Sequence, residues 1–97
     1  MSVTVYIPTP FRRATNNRDR VEGHAPTIAG LLDELEGEYA SLRGLVRGEG
    51  GEVHRHVNIY VNNEEIEALS GLATPLKDGD EVTIIPALAG GGLGRAG

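Results

Sequence analysis

The sequence predicts an α+β protein in which one main helix packs across a mixed sheet of four to five strands. Three observations support this prediction. Segments of alternating apolar and polar residues lie near both ends, one stretch between them has helical periodicity, and turn residues separate the segments. Strands on either side of a single helix are typical of the α+β class. The chain has 97 residues, which suits one domain.

The first predicted strand covers residues 2–7. Val3, Val5 and Ile7 alternate with polar residues, which is the period of a strand with one buried face. Pro8 ends the strand because proline has no backbone N–H to donate.

A loop and a short second strand are expected next. Phe11-Arg12-Arg13 is predicted to be a loop whose arginines are solvated, with contact to a partner as the alternative. Thr15-Asn16-Asn17 predicts a turn because asparagine tolerates left-handed backbone. Residues 18–22 then form a polar strand in which Val21 is the single inward residue.

The helix is predicted from Ile28 to Leu42. Thr27 is a favoured N-cap residue, and Gly44 is expected to end the helix. Apolar residues recur every three or four positions and form one stripe. The stripe consists of Ile28, Leu31, Leu32, Leu35 and Tyr39. A flexible glycine-rich loop, residues 48–52, is expected to follow.

The third strand, residues 54–61, has the clearest alternation in the chain, with Val57, Ile59 and Val61 facing the helix. Asn62-Asn63 indicates a tight hairpin turn. A short strand at residues 65–67 is expected to return from it.

An irregular crossover at residues 70–76 is predicted to bury Leu72 and Leu76. Lys77-Asp78-Gly79-Asp80 predicts a tight turn. The last strand is expected over Glu81 to Pro86.

Composition excludes several classes of function. The net charge of −5 and the pI of about 5.1 argue against a nucleic-acid partner and suggest a partner with a basic surface. The chain has no cysteine, which excludes disulfides, thiolate catalysis and cysteine metal sites. No stretch is apolar enough for export or membrane insertion, so we expect a cytoplasmic protein that binds no membrane.

The segment after the last strand is the candidate functional site. Gly90, Gly91 and Gly92 have no side chains, and such backbone can enter a narrow cleft that a Cβ would block. We therefore predict a domain over residues 1–88 and a flexible tail over residues 89–97. The reactive group is predicted to be the main chain at Gly91, through its carboxylate once exposed.

The apolar residues that precede the glycines are the predicted partner-binding surface. They have no further part of their own domain to cover them. These residues are Pro86, Ala87, Leu88 and Ala89.

Two other groups of residues suggest a metal site. His54 and His56 share one face of a predicted strand, and His24 could join them, but no convincing further ligand is present. Asp78 and Asp80 resemble part of a calcium loop, but the remaining ligands are missing and turn chemistry explains both. The sequence therefore predicts no metal site and no catalytic residues.

The sequence resembles the ubiquitin-like sulfur carriers of the ThiS/MoaD family, particularly the members that serve cysteine biosynthesis. A lone Gly-Gly would be weak evidence, but the matching stretches span almost the whole chain in the same order. They are Ile7-Pro8-Thr9 with Arg12, residues 54–62 with Glu64-Glu65, residues 71–74 and residues 78–91. The resemblance implies a ubiquitin-like β-grasp fold in which the first and last strands pair at the sheet centre.

The resemblance also implies a carrier that is not an enzyme. An E1-like adenylating and sulfur-transferring enzyme would use ATP and Mg to convert the terminal glycine to a thiocarboxylate. A sulfur-accepting synthase would then receive the sulfur. This synthase could be cysteine synthase-like, with its own pyridoxal phosphate, or could make a thiazole, a thiosugar or molybdopterin. A JAMM-type metalloprotease is a further implied partner, and the carrier itself would hold no cofactor.

The chain departs from the family pattern after the glycines. Active carriers end at Gly-Gly, whereas this chain continues with residues 92–97. We expect cleavage after Gly91, although Gly92 is an alternative end, and a harmless extension is an alternative to a cleaved one. Two other functions remain open, namely a protein modifier joined to lysines and an interaction module that would not need Gly91.

Overall fold

The computed structural model describes residues 1–87, which contain a five-stranded sheet and one α-helix packed across it. The strand order is β2-β1-β5-β3-β4. The strands are β1 (Val3–Tyr6), β2 (Arg20–Gly23), β3 (Val57–Val61), β4 (Glu64–Glu65) and β5 (Glu81–Pro86), and the helix α1 covers Ile28–Glu38.

The first and last strands lie side by side at the centre of the sheet. β1 and β5 are parallel, with Val5 opposite Val82, and the Thr4 N–H donates to the Asp80 carbonyl at 3.0 Å. β5 also pairs antiparallel with β3, where Ile59 lies opposite Ile84. This arrangement confirms the predicted β-grasp fold and the predicted order of elements.

The core lies between α1 and one face of the sheet. Alternate residues of β1, β3 and β5 point toward the helix, as the period of two predicts. Leu31 and Leu32 of α1 are almost fully buried against them. The inward strand residues are Val3, Val5, Val57, Ile59, Val61, Val82 and Ile84.

The helix begins where it is predicted and ends earlier. The Thr27 side chain accepts a hydrogen bond from the Gly30 N–H at 3.1 Å, so Thr27 is the N-cap. The helix ends at Glu38 rather than Leu42, because Tyr39 leaves helical geometry. Leu42 is still buried, since a 3₁₀ turn carries it back to the core. Gly44 therefore lies beyond the helix and does not end it.

The connection between β1 and β2 is more ordered than expected. The predicted loop at Phe11-Arg12-Arg13 lies in a 3₁₀ helix, Thr9–Thr15, and Phe11 is buried. Arg12 Nε donates to the Ile7 carbonyl at 3.0 Å, so Arg12 is only partly solvated. Asn16 and Asn17 have φ values of 56° and 64°, which confirms the predicted turn.

The start of β3 was predicted too early. His54 and His56 precede the strand, which begins at Val57. The glycine-rich segment before them closes as a turn, in which the Gly48 N–H donates to the Glu52 carbonyl at 2.9 Å. This turn follows Val46, a core residue that the sequence pattern did not identify.

Arg47 ties this segment to the helix. Its Nη2 lies 2.7 Å from Asp33 Oδ1 and 2.9 Å from Glu36 Oε1, and its Nε donates to Glu36 Oε2 at 3.1 Å. The hydrogen bonds from Arg47 to Glu36 contribute most to raising the pKa of Arg47. The side chain is only 12% exposed, so its charge is shielded by these two carboxylates.

The turns at the other end of the sheet agree with the sequence. Asn62 and Asn63 have φ values of 50° and 74°, as the predicted tight hairpin requires. The returning strand is β4, one residue earlier and shorter than predicted. Leu76 is buried and Leu72 partly buried, which confirms the predicted packing of the crossover.

Glu34 should give the fold a measurable dependence on pH. Burial acts to raise its pKa, but hydrogen bonds from the His24 and Ala25 N–H groups and the His24 ring outweigh it, so the pKa lies below the usual 4.5. A lowered folded-state pKa contributes stability that is present above the unfolded pKa and lost as pH falls toward the folded one. Urea unfolding between about pH 5 and 3 covers the range around the unfolded-state pKa. Over this range, Glu34→Gln should reduce the decrease in the free energy of unfolding as the pH falls.

The exposed Glu38 on the same helix provides the control. Glu38→Gln should leave the pH profile of the unfolding free energy close to that of the unsubstituted chain. Equal flattening by both substitutions would show that overall charge, and not the Glu34 hydrogen bonds, determines the profile.

Candidate functional site

The tail begins from a fixed point at one end of the sheet. Pro86 is the last residue of β5 and lies opposite Val57. The Ala87 N–H donates to the His56 carbonyl, which extends the β3–β5 ladder by one hydrogen bond. The backbone that leads into residue 88 therefore starts from a position set by the central strand.

The ends of β1 and β5 form a shallow cavity of about 250 Å³ at this point. Tyr6, Pro8 and Arg12 line one side, and Ile85 and Pro86 line the other. Ile85 is 46% exposed, which is unusual for an isoleucine in a central strand. The root of the tail is therefore bordered by apolar surface and one arginine.

The structure locates part of the predicted site. Pro86 is half-buried and lines the cavity, and Ala87, the next residue, is exposed. The remaining predicted residues, Leu88, Ala89, Gly90, Gly91 and Gly92, lie outside the described residues, as does the predicted domain boundary after residue 88. Their roles stay predictions.

The histidines do not form the three-ligand cluster considered from the sequence. His24 Nδ1 lies 3.1 Å from Glu34 Oε2, and His54 Nε2 lies 2.8 Å from the Gly44 carbonyl. The His54 and His56 rings stack, with centroids 5.2 Å apart. Within residues 1–87, no three histidine or carboxylate side chains come together as metal ligands.

The aspartates of the last turn serve the backbone. Asp78 Oδ1 accepts from the Ser2 N–H at 2.9 Å, and Asp80 Oδ2 accepts from the Lys77 N–H at 2.8 Å. Asn62 Nδ2 donates to the other Asp80 oxygen at 2.9 Å. Asp80 therefore has the predicted role within the turn, whereas Asp78 binds a residue outside it and joins the turn to the N-terminal segment.

The molecule is a ubiquitin-like β-grasp protein, defined by the central parallel pair, the single helix across the sheet and a C-terminal segment that continues from the central strand. The chain belongs to the ThiS family, whose family model matches residues 5–91. None of the helices within residues 1–87 has the length and apolar character needed to cross a bilayer.

Individual relatives agree with this assignment. Sulfur carrier protein CysO of Mycobacterium tuberculosis is 43% identical over 93 residues, which cover 94% of this chain and all of that protein. Small archaeal modifier protein 3 of Haloferax volcanii is 46% identical over 72 residues, covering 74% of this chain and 76% of that protein. A chain in the crystal structure of the Amycolatopsis orientalis BexX/CysO complex matches with a TM-score of 0.85 and 39% identity, over 91% of this chain and 98% of that one.

These relatives are named as carriers and modifiers, not as enzymes. The full-length match to CysO places this chain with a protein named as a sulfur carrier. This finding agrees with the prediction that the chain is not itself an enzyme.

Proposed function

We propose that this chain is a sulfur carrier whose terminal glycine, Gly91 after removal of residues 92–97, becomes a thiocarboxylate. The observation that carries the proposal is the ThiS family match, which ends at Gly91. The full-length similarity to the CysO carrier supports the same function. Cleavage after Gly91 would leave the Gly-Gly end that the sulfur chemistry requires.

The chemistry explains why the carrier needs both an activating enzyme and a sulfide donor. A carboxylate is a poor acyl electrophile, so its oxygen first attacks the α-phosphorus of ATP, and pyrophosphate leaves. A sulfide donor then adds to the carbonyl carbon of the acyl adenylate, and AMP leaves. The product is a thiocarboxylate with a nucleophilic sulfur. ATP and Mg belong to the E1-like activating enzyme, and this chain supplies only the carboxylate.

Cysteine biosynthesis is the proposed destination of the sulfur, because the full-length relative bears the name CysO. The sulfur would add to an amino-acrylate on a pyridoxal-phosphate synthase, and a JAMM-type metalloprotease would release cysteine by hydrolysis. A thiazole, thiosugar or molybdopterin synthase would use the same nucleophile. That a CysO chain occurs in a BexX/CysO complex supports direct binding of such a carrier to a partner protein.

The fold supports this function by fixing the start of the tail. β5 pairs with β3 up to Pro86, and the Ala87 N–H donates to the His56 carbonyl, so the segment Pro86-Ala87 is held in place by the sheet. Less conformational freedom has to be lost when such a segment enters a cleft. We assign Pro86, Ala87, Leu88 and Ala89 to partner binding on this basis.

Intact mass spectrometry tests the proposal. The full chain and a chain ending at Gly91 are each incubated with an activating enzyme, ATP, Mg and sulfide. The shortened chain alone should gain the mass that corresponds to replacement of one oxygen by sulfur.

Each other outcome contradicts a stated part of the proposal. A gain in the full chain would show that residues 92–97 need not be removed. No gain in either chain, with an activating enzyme that modifies its own carrier, would overturn the thiocarboxylate chemistry. Protein from its native cells that transfers sulfur while retaining residues 93–97 would exclude cleavage after Gly91.

A protein modifier is the second candidate function, favoured by the 46% identity to small archaeal modifier protein 3. A modifier shares the activation step but ends in an amide bond to a lysine. This chain found covalently attached to other proteins in cells would support the modifier. A chain without Gly91 that kept its function would instead indicate an interaction module.

Leu88→Asp in the chain ending at Gly91 should slow adenylation about tenfold or more, because a charged side chain would replace a buried apolar contact. The melting temperature should not change. The adenylation rate can be followed by pyrophosphate release, and Leu69→Asp, at an exposed leucine in another loop, is the matched control. A lower melting temperature for Leu88→Asp would mean that Leu88 packs within its own domain.

A further inference from the structure

We propose that four arginines around the root of the tail form a docking surface for a partner whose tail-accepting cleft is bordered by carboxylates. This surface, called the basic rim below, consists of Arg12, Arg13, Arg18 and Arg55. The inference rests on the proposed function, since it concerns the partner that receives the tail. It adds the charge and position of the recognition surface.

The topology brings three of these arginines to the tail end of the sheet. Because β1 and β5 are parallel, the 3₁₀ helix that follows β1 lies at the end where β5 finishes. This helix carries Arg12 and Arg13. The Asn17 N–H donates to the Arg12 carbonyl at 2.7 Å, which turns the chain so that Arg18 follows at the same end.

Arg55 reaches this end from a different part of the chain. It precedes His56, whose carbonyl accepts the Ala87 N–H at the root of the tail. Arg12 borders the root from the other side, because it lines the same cavity as Pro86. The basic rim therefore flanks the tail on both of its sides.

The charges of the rim are available to a partner. Arg13, Arg18 and Arg55 are exposed, and Arg12 uses its Nε for the Ile7 carbonyl. None of the four forms an ion pair with another described residue, in contrast to Arg47. The exposed carboxylates in the segments that carry the rim are Asp19, Glu49 and Glu52, fewer than its four arginines, and Arg18 also lines a cavity with Glu22 and Glu38.

The other end of the sheet is acidic. Asp78, Asp80 and Glu81 lie at the start of β5, and Glu64 lies beside them at the β3–β4 turn. Lys77 is the single cation in this turn. The negative net charge of −5 therefore describes this end and not the tail end, and the proposal replaces the basic partner surface expected from it with an acidic one at the tail end.

Screening by salt limits a partner at the tail end to the charges at that end. The six residues of β5 separate the two ends by about 20 Å. Charges are screened over about 8 Å at physiological ionic strength. A partner that captures the tail therefore interacts with the arginines and not with the distant carboxylates. Complementary charges at such a rim mainly accelerate association.

Single charge reversals test the basic rim. The chain ending at Gly91 is prepared unsubstituted, as Arg13→Glu, as Arg55→Glu and as Lys77→Glu, where each substitution changes the net charge equally. Association with an E1-like activating enzyme that binds the unsubstituted chain is measured by stopped flow at low and at physiological salt. Arg13→Glu and Arg55→Glu should each slow association about 3- to 10-fold at low salt and less at high salt. Lys77→Glu should leave the rate unchanged at physiological salt, and at low salt, where charges act over about 30 Å at 0.01 M, it should slow association less than either arginine variant.

Two results would overturn the proposal. Equal slowing by Lys77→Glu would show that net charge is sensed and not the rim, and faster association of the arginine variants would show a basic partner surface. Melting temperatures show whether each variant is folded. If Arg13→Glu alone is destabilised, the association rate of Arg55→Glu decides the test. Binding of the unsubstituted chain without formation of a thiocarboxylate would refute the proposed function, while the order of the association rates would still decide the rim.

Discussion

Gly90→Val in a chain that ends at Gly91 should reduce thiocarboxylate formation about 100-fold or more, without change in the melting temperature. In the proposed mechanism the terminal carboxylate reaches ATP through a cleft in the activating enzyme, and a branched side chain one residue before it would hold the carboxylate away from the α-phosphorus. A displacement of about 1 Å at a reacting centre can cost about 100-fold in rate. Intact mass measured over time gives the rate of sulfur incorporation.

Gly50→Val is the matched control for this prediction. Gly50 lies in an exposed turn, and a Cβ added there would meet no atom within 4 Å. The control should incorporate sulfur at the rate of the unsubstituted chain. Normal incorporation by Gly90→Val would mean that the glycines are not needed for threading, and the assignment of the tail would have to be revised.

Gly23→Ala should lower the free energy of unfolding by about 1–3 kcal/mol, the usual cost of overpacking a core. A Cβ at Gly23 would lie 2.2 Å from Leu31 Cδ1, and the Val3 side chain lies 3.6 Å away on another side. Leu31 is fully buried in the helix stripe and has little space to turn away. Relief of the contact therefore requires movement of β2 away from the helix. Urea denaturation gives the free energy directly.

Gly37→Ala should raise the free energy of unfolding in the same experiment. Gly37 lies on the exposed side of α1, where an added Cβ meets nothing within 4 Å. Alanine is favoured over glycine in a helix by about 1 kcal/mol. A Gly23→Ala protein as stable as the unsubstituted chain would show that the helix and β2 adjust easily, which would contradict tight packing at this position.

Local patterns predicted most of the fold because the sheet depends on alternation and on turn residues. The bounds of β5, Glu81–Pro86, were predicted correctly, since an Asp-Gly turn and a proline mark its two ends. The asparagine pairs located two turns for the same reason, as asparagine accepts positive φ. Thr27 located the start of the helix.

The differences arise where tertiary contacts replace the local pattern. Leu42 continues the helical spacing, but a 3₁₀ turn buries it equally well, so periodicity could not show where α1 ends. His54 and His56 continue the alternation of β3 although neither lies in the strand. Arg47 contacts Asp33 and Glu36, which lie more than ten residues away in the sequence. No local sequence pattern predicts this contact.

The candidate site divides in a similar way. The glycines and the residues before them could be selected from the sequence, because their order after a strand is itself the signal. Partner contact was an alternative for Arg12 and Arg13, but the basic rim as a whole could not be selected, since Arg55 and the arginines near Asn17 come together only through the pairing of β1, β5 and β3. Net charge concealed this arrangement.

The central position of β5 also affects how the protein is made. Among the strands of residues 1–87, β5 is synthesised last, yet it joins the β1–β2 pair to the β3–β4 pair. A two-stranded unit alone is marginally stable. The sheet can therefore be completed only after residue 86 has left the ribosome. Contacts so distant in sequence form slowly. The segment that carries the glycines thus follows directly after the strand that completes folding, which limits the chance that an activating enzyme meets an unfolded carrier.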